Sequence, residues 1–176
     1  MTTPLEKLLA LPTGFQNASI LGAAAELDLF SAVIAAKNAM SAEELIKSLS
    51  LDPRGAETLL AALVHLELLV KKEDKYSVPD DFIPYLDSMS KSTLIPIIRH
   101  WLCCQRQWSQ LAWVVKTGVP APSHNSMLGP LGDNASFILG MNSIAQTVMK
   151  QLVPKLEEAN LLTFSHMLDL GGASGS

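Results

Sequence analysis

Apolar residues recur at helical spacing through most of the chain, which predicts a mainly helical protein. The first strong run spans residues 14–27, where apolar and small side chains lie nearly all round the helix and predict burial on more than one side. Pro12 separates this run from a short amphipathic helix over residues 4–10, and Thr13 is placed to cap the longer helix. Another short apolar helix is predicted over residues 29–36.

The next segment has the order of a winged helix, namely helix, turn, helix and β-hairpin over residues 41–78. Ser41 and Glu44 have the spacing of a capping box. Asp52 is placed to cap the second helix, and a proline follows at the first helical position, where no N–H is missed. Two short strand-like runs on either side of Glu73 predict the hairpin.

Two long helices are predicted in the second half. The first runs from a cap at Thr93 to about Lys116, and one of its faces carries Leu94, Ile98, Trp101, Gln105, Trp108, Ala112 and Val115. Residues 118–132 are rich in glycine and proline and predict a loop. Asp133 is the predicted cap of the second helix, which Pro154 kinks or restarts.

The last ten residues predict a short buried strand, Met167–Leu170, that runs into a glycine turn. Doubly wound α/β domains form their nucleotide-binding crevice in this way, and glycine permits positive φ and a close ligand approach. The arrangement Asp169-x-Gly171-Gly172-x-x-Gly175 differs from the Gly-x-Gly-x-x-Gly fingerprint. By itself it leaves both a cofactor site and a purely structural turn open.

Composition excludes some classes. A chain of 176 residues with 48% hydrophobic and 17% charged residues has enough apolar material for a sizeable core and is not a disordered chain. A net charge of −4 disfavours nucleic-acid and anionic-membrane partners. The predicted second helix of the winged helix offers Arg54 and His65 against Glu57 and Glu67, too little positive charge for DNA phosphates.

Candidate chemistry is sparse. Cys103 and Cys104 are adjacent and predict reduced, buried helix thiols rather than a disulfide or metal site. The histidines share no ligand spacing, so we predict no metal and no catalytic residue. No secretory leader and no membrane-length apolar run are visible, and we expect a cytoplasmic protein. The aromatic faces of Trp101 with Trp108, and of Phe137 with Met141, are consistent with either core packing or a pocket for a flat apolar ligand.

The order of these pieces resembles the N-terminal part of the S-adenosylmethionine-dependent O-methyltransferases of the plant caffeate/acetylserotonin and bacterial polyketide-tailoring type. The segments that carry the resemblance are Gly14-Phe15 with Ala24-x-Glu26-Leu27-x-Leu29-Phe30, Leu59-Leu60-x-x-Leu63 with Leu68-Leu69 and Lys75-Tyr76-Ser77, Trp108 through Thr117-Gly118, Phe137-x-x-x-Met141, and the glycine motif from Leu168 to Gly175.

The resemblance implies a division into a helical, winged-helix dimerisation domain (1–118), a linker loop with substrate-side helices (119–165), and the first strand and glycine turn of an α/β methyltransferase domain (166–176). It implies a homodimer in which Phe15 reaches toward the partner's site, and a pocket for an aromatic or polyketide-like acceptor near Phe137 and Met141. It also implies an S-adenosylmethionine site at Asp169, Gly171, Gly172 and Gly175. Ala173 departs from the family's usual third glycine.

The family's ribose-binding acidic residue and histidine base have no counterpart in these 176 residues. We therefore expect a piece truncated just after the first cofactor motif, which is inactive alone and binds the cofactor weakly. One alternative is a standalone dimerisation module that pairs with a full-length or split methyltransferase subunit. A winged-helix DNA-binding regulator is the other.

Overall fold

The fold is mainly helical with one small antiparallel sheet, as the sequence predicts. A computed structural model describes residues 3–161, 163–166, 168 and 170–172. The helices are α1 (Pro4–Ala10), α2 (Phe15–Glu26), α3 (Leu29–Ala35), α4 (Ala42–Leu49), α5 (Pro53–His65), α6 (Ile83–Leu86), α7 (Ile95–Trp108), α8 (Leu111–Thr117) and α9 (Gly129–Glu158). The strands are β1 (Met40–Ser41), β2 (Val70–Lys72) and β3 (Lys75–Ser77). Short 3-10 turns lie at Leu11–Thr13 and Asp80–Phe82.

The hydrophobic core lies where α2 to α6, the sheet and the start of α7 meet. Its members are the apolar residues that helical and strand spacing place on inward faces. They include Ala24, Ala25, Leu29, Phe30, Val33, Leu45, Leu60, Leu63, Leu69, Val78, Leu86, Ile95 and Ile98. The core therefore belongs to the winged-helix half and to the helices that flank it.

The helix caps of the winged helix form as predicted. The Ser41 hydroxyl accepts the Glu44 N–H at 3.1 Å, and the Glu44 carboxylate accepts the Ser41 N–H at 2.7 Å. This bond from the Ser41 backbone keeps the pKa of Glu44 below its usual value. Asp52 accepts the Gly55 N–H at 2.8 Å at the start of α5.

The hairpin also forms, and its second strand gains a partner that the sequence did not reveal. β3 pairs with β2 on one side and with β1 on the other, so the strand order is β1-β3-β2. Asn38, at a left-handed φ of 56°, extends this edge. Its side chain donates to the Val78 carbonyl and accepts the Val78 N–H, both at 2.8 Å.

The long helix predicted from Thr93 to about Lys116 is two helices, α7 and α8. The break falls where the Ser109 hydroxyl and the Gln110 amide both donate to the Arg106 carbonyl, at 2.7 Å and 3.2 Å. Such side-chain bonds compete with the helical ladder. The N-cap of α7 is Leu94 rather than the predicted Thr93, whose hydroxyl accepts the Ile95 N–H at 3.3 Å just before the helix begins.

Two predicted helix caps are also corrected, and the predicted alternative of a helix restart at Pro154 does not occur. α2 begins at Phe15 after Gly14, without a cap from Thr13, whose hydroxyl donates to the Ala10 carbonyl at 3.0 Å instead. α9 begins before Asp133, with a proline in its first turn, and it continues through Pro154. Asp133 lies inside α9 and accepts the Ser126 N–H at 2.9 Å.

α7 packs between α2 and α9, and glycines permit both close approaches. A Cβ added at Gly22 of α2 would lie 2.8 Å from a Leu102 methyl, and one at Gly140 of α9 would lie 2.9 Å from the Ile97 Cα.

Among the described residues, no single helix is long and apolar enough to cross a membrane. The segments Pro4–Glu26 and Leu29–Ala35 reach that length and composition only when they are taken together, and the chain bends by 53° between them.

Candidate functional site

The N-terminal segment presents apolar side chains that no described residue of the chain buries. None of the residues of α1 is buried, and the exposed apolar residues of this segment are Leu5, Leu8, Leu9, Leu11 and Phe15. A seven-residue helix is marginal alone in water. An exposed apolar stripe of this kind is typical of a surface that meets another chain or domain.

The tryptophans of α7 and α8 are also exposed. Trp101 is 58% and Trp108 is 70% exposed, and Trp113 is exposed as well. The core interpretation of Trp101 and Trp108 is therefore wrong for this chain. The buried residues of α7 are Ile95, Ile97 and Ile98, because only the first turns of the helix lie against the core.

Phe15, Trp101 and Trp108 are brought to one side of the molecule. Gln105 lies one turn after Trp101 and on the same face of α7 as Trp108. Its side-chain amide donates to the Ser19 hydroxyl at 2.9 Å and to the Phe15 carbonyl at 3.4 Å. The start of α2 therefore lies beside the tryptophan face of α7.

Phe137 and Met141 form a second group on α9. They are one turn apart and share a face; Phe137 is exposed and Met141 is half-buried. The Phe137 ring lies 5.0 Å from the ring of His100 on α7, at an angle of 51°. The predicted pocket residues thus form two open walls, one at the start of α2 and on α7 and the other on α9, where Phe137 contacts His100.

The glycine turn is only partly described. Gly171 has a φ of 78°, which fits the predicted need for glycine there, and Gly172 is exposed. Asp169 and Gly175 lie outside the described residues. The predicted buried strand is wrong at Leu168 and Leu170, which are 81% and 84% exposed and not in a strand. A strand needs a neighbour to pair with, and no strand lies beside them in the described part of the chain.

Two ion pairs join α7 to the end of α2, and the sequence analysis missed both. Arg99 donates to the Ala25 carbonyl at 2.8 Å and pairs with Asp28. Arg106 pairs with Glu26, which is only 8% exposed. A glutamate inside a run of buried small and apolar residues was the available signal, because a buried charge requires a partner.

The cysteines are free, as predicted, but they are half-buried rather than buried. Burial, followed by the negative charge of Asp133, raises the pKa of the Cys103 thiol. Cys104 lies 3.4 Å from the Nε2 of His100. No three metal-ligating side chains gather in the part of the chain that the structure describes.

A polar cleft between the segment before α7 and the middle of α9 was not predicted. It has a volume of about 540 Å³, and its lining consists of Tyr85, Lys91, Ser92, Thr93, Leu94, Asn142, Ser143, Gln146 and Lys150. None of the predicted site residues lines it. The cleft is therefore separate from the aromatic walls.

The DNA-binding alternative is not favoured. Arg54 on α5 is exposed beside the exposed Glu57, so the surface of this helix is mixed in charge. In the hairpin, the Lys71 ammonium lies 5.3 Å from the centre of the Tyr76 ring. These surfaces lack the continuous positive charge that phosphate contacts require.

The fold and its exposed apolar faces are those of a helical dimerisation module. The family model of the O-methyltransferase dimerisation domain matches residues 9–80. This part of the chain is therefore similar to the dimerisation domain of O-methyltransferases.

Known proteins extend the similarity over most of the chain. The tetracenomycin polyketide synthesis 8-O-methyl transferase TcmO of Streptomyces glaucescens is 28% identical over 185 residues, which cover 96% of this chain and 50% of TcmO. An O-methyltransferase family protein from Burkholderia thailandensis has a TM-score of 0.67 at 21% identity, over 85% of this chain and 45% of that protein.

Human N-acetylserotonin methyltransferase, solved in complex with SAM, has a TM-score of 0.64 at 19% identity, over 82% of this chain and 46% of that protein. The chain spans about half the length of these relatives. The resemblance to the N-terminal part of S-adenosylmethionine-dependent O-methyltransferases is confirmed.

Proposed function

We propose that this chain is the N-terminal dimerisation region of a small-molecule O-methyltransferase and that it forms a homodimer. The observation that carries the proposal is the set of exposed apolar side chains on α1 and α8, which are separate from the proposed pocket residues of α7. α1 partly overlaps the segment that matches the dimerisation family, residues 9–80. A second copy of the chain supplies the apolar surface that would cover these side chains.

Co-expression of a tagged and an untagged copy of the chain tests this proposal. If the copies associate, the untagged copy is retained with the tagged copy after salt washing, since apolar contacts are not screened by salt. Recovery of the tagged copy alone would count against the homodimer.

The proposed parent reaction moves a methyl group from S-adenosylmethionine to a hydroxyl of an aromatic or polyketide-like acceptor. The name of TcmO and the cofactor in the human relative support this assignment. In the proposal, residues 1–118 dimerise, residues 119–165 are linker and substrate-side helix, and residues 166–176 begin the methyltransferase domain.

The site residues have separate proposed roles. Phe15, Trp101 and Trp108 form one wall of the acceptor pocket, and Phe137 and Met141 form the other. The glycine motif, with Asp169, Gly171, Gly172 and Gly175, would hold the cofactor. Gly171 supports this role because its positive φ leaves the backbone open to a ligand.

These 176 residues are proposed to be inactive alone, because methyl transfer to a hydroxyl needs a base that takes its proton and a held acceptor. Isothermal titration of the chain with S-adenosylmethionine tests the cofactor part of the proposal. We expect no saturable heat at micromolar cofactor. Micromolar binding would show that the chain carries more of the cofactor site than we propose. The cytoplasmic location stays a prediction.

A further inference from the structure

Among the described residues, Glu26 is the charged residue that is buried, and its two oxygens have different partners. Oε2 accepts from the Arg106 guanidinium at 2.5 Å, and Oε1 accepts the backbone N–H of Met127 at 2.5 Å. One carboxylate therefore joins α2, α7 and the end of the loop that leads into α9.

The end of this loop is held by further bonds that meet at the same place. The Ser126 N–H donates to the Asp133 carboxylate at 2.9 Å, and the Leu128 N–H donates to the Ser126 hydroxyl at 3.0 Å. α9 begins directly afterwards. The start of α9 is thus attached to the α2–α7 layer through Glu26.

α9 has a second fixed point on α7. The backbone of Gly140 lies so close to Ile97 that an added Cβ would be 2.9 Å from the Ile97 Cα. Gly140 stands between Phe137 and Met141 in the sequence. A helix held at its start and at this contact cannot rotate freely, so the two points together set the direction in which Phe137 and Met141 face.

We propose that Glu26 and Arg106 are positioning residues, which orient α9 and its Phe137–Met141 wall without contacting the acceptor. The inference rests on the proposed function, in which this wall faces the acceptor. A carboxylate is required because it accepts on both oxygens, whereas the amide of glutamine has one oxygen and one NH₂ group. With glutamine at position 26 the single oxygen stays with the charged Arg106 guanidinium, the stronger donor, so the bond from the Met127 N–H is lost.

The ion pair between Arg99 and Asp28 provides a matched control. It joins the same helix α7 to the N-cap residue of α3, two residues after α2 ends, and among the described residues Asp28 has no bond to a loop amide. Glu26→Gln and Asp28→Asn each remove one negative charge and keep the side-chain volume. The Asp28 side chain is 52% exposed and that of Glu26 is 7% exposed, so the two variants are compared at the loop amide and at the α7–α9 ring contact rather than in overall stability.

Two NMR measurements on the 176-residue chain test the proposal. The first is hydrogen exchange at the Met127 amide, and the second is the cross-relaxation peak between the rings of His100 and Phe137. In Glu26→Gln we expect Met127 to exchange about tenfold faster or more, the equivalent of one lost hydrogen bond, and the ring peak to weaken. Asp28→Asn is expected to leave both unchanged.

An unchanged ring peak in Glu26→Gln would overturn the proposal, even if Met127 exchanges faster, because Glu26 would then hold the loop alone. Arg106→Lys and Arg106→Met keep the proposal testable if Glu26→Gln fails to fold. Arg106→Lys retains a cationic donor and is expected to preserve the ring peak between His100 and Phe137, whereas the peak is expected to be lost in Arg106→Met. Equal spectra of these two variants would contradict the role of Arg106. The subunit mass of each sample is measured in parallel, so a missing dimer counts against the proposed function and not against this inference.

Discussion

The winged-helix half and the outer helices of this chain use similar apolar patterns with opposite results. In α2 to α5 the periodic leucines, valines and alanines end in a closed core around Phe30. In α1, α8 and the later turns of α7, leucines and tryptophans at comparable spacing remain exposed. The difference teaches that periodicity identifies an apolar face but does not identify what covers it.

The exposed apolar faces contribute little to stability in a single chain, because their side chains remain in contact with water. Burying a leucine-sized side chain contributes about 1.5–3 kcal/mol, in proportion to the apolar area removed from water. The winged-helix half gains this contribution within the chain. The outer helices gain it only when a second surface covers them, which is the physical reason to expect a partner.

Phe30→Ala should show the largest effect on stability, because Phe30 is fully buried at the centre of the core. We expect the free energy of unfolding to fall by about 3–5 kcal/mol, since the substitution removes buried area and leaves a cavity. Trp108→Ala is the matched aromatic substitution in the exposed region and should cost less than about 0.5 kcal/mol within one subunit. Urea unfolding below the association concentration measures both, and equal losses would contradict the contrast between the regions.

Leu8→Glu combined with Leu9→Glu should weaken subunit association by on the order of 3 kcal/mol. Both leucines are exposed in the single chain, and the double variant removes the apolar area that they would bury in the subunit contact. We expect the far-ultraviolet circular dichroism to stay the same while the dissociation constant rises. Lys7→Glu changes the charge of the same helix without removing apolar area and serves as the control. Unchanged association in the double variant would exclude α1 from the contact.

Gly140→Ala should destabilise the attachment of α9 by about 1–3 kcal/mol, because the added methyl group meets the backbone of Ile97. Gly22→Ala meets only the side chain of Leu102 and should cost less. Thermal unfolding of the two variants provides the comparison. A larger loss for Gly22→Ala would show that the α2–α7 contact is the more rigid of the two.

Cys103 should give the smallest effect, a slower reaction with iodoacetamide than in the urea-unfolded chain. Its raised pKa lowers the fraction of thiolate at a given pH, and the thiolate is the species that reacts. Mass spectrometry of the labelled peptide as a function of pH checks the sign. Equal rates in the folded and unfolded chains would contradict the effect of burial.

Local signals made the winged helix predictable. The caps at Ser41 and Asp52 depend on residues three positions apart, and both were predicted, the first together with its partner Glu44. β1 was missed because Met40 pairs with Tyr76, far along the chain. The break between α7 and α8 was missed because it depends on how side chains compete for one carbonyl.

The candidate site was less predictable. Spacing placed Phe137 and Met141 on one face of a helix, but it could not show that Trp101 and Trp108 are uncovered in a single chain. The partners of Glu26 are 80 and 101 residues away in sequence, and no local pattern indicates them. Its position in an apolar run was the only signal.

The mass of the chain in solution tests the central claim most directly, which is that the exposed apolar faces of α1 and α8 are covered by a second copy. Sedimentation equilibrium over a range of concentrations gives this mass without reference to shape. We predict a species of twice the 19.0 kDa chain mass at micromolar concentration. A single species of 19.0 kDa across the whole range would contradict the account.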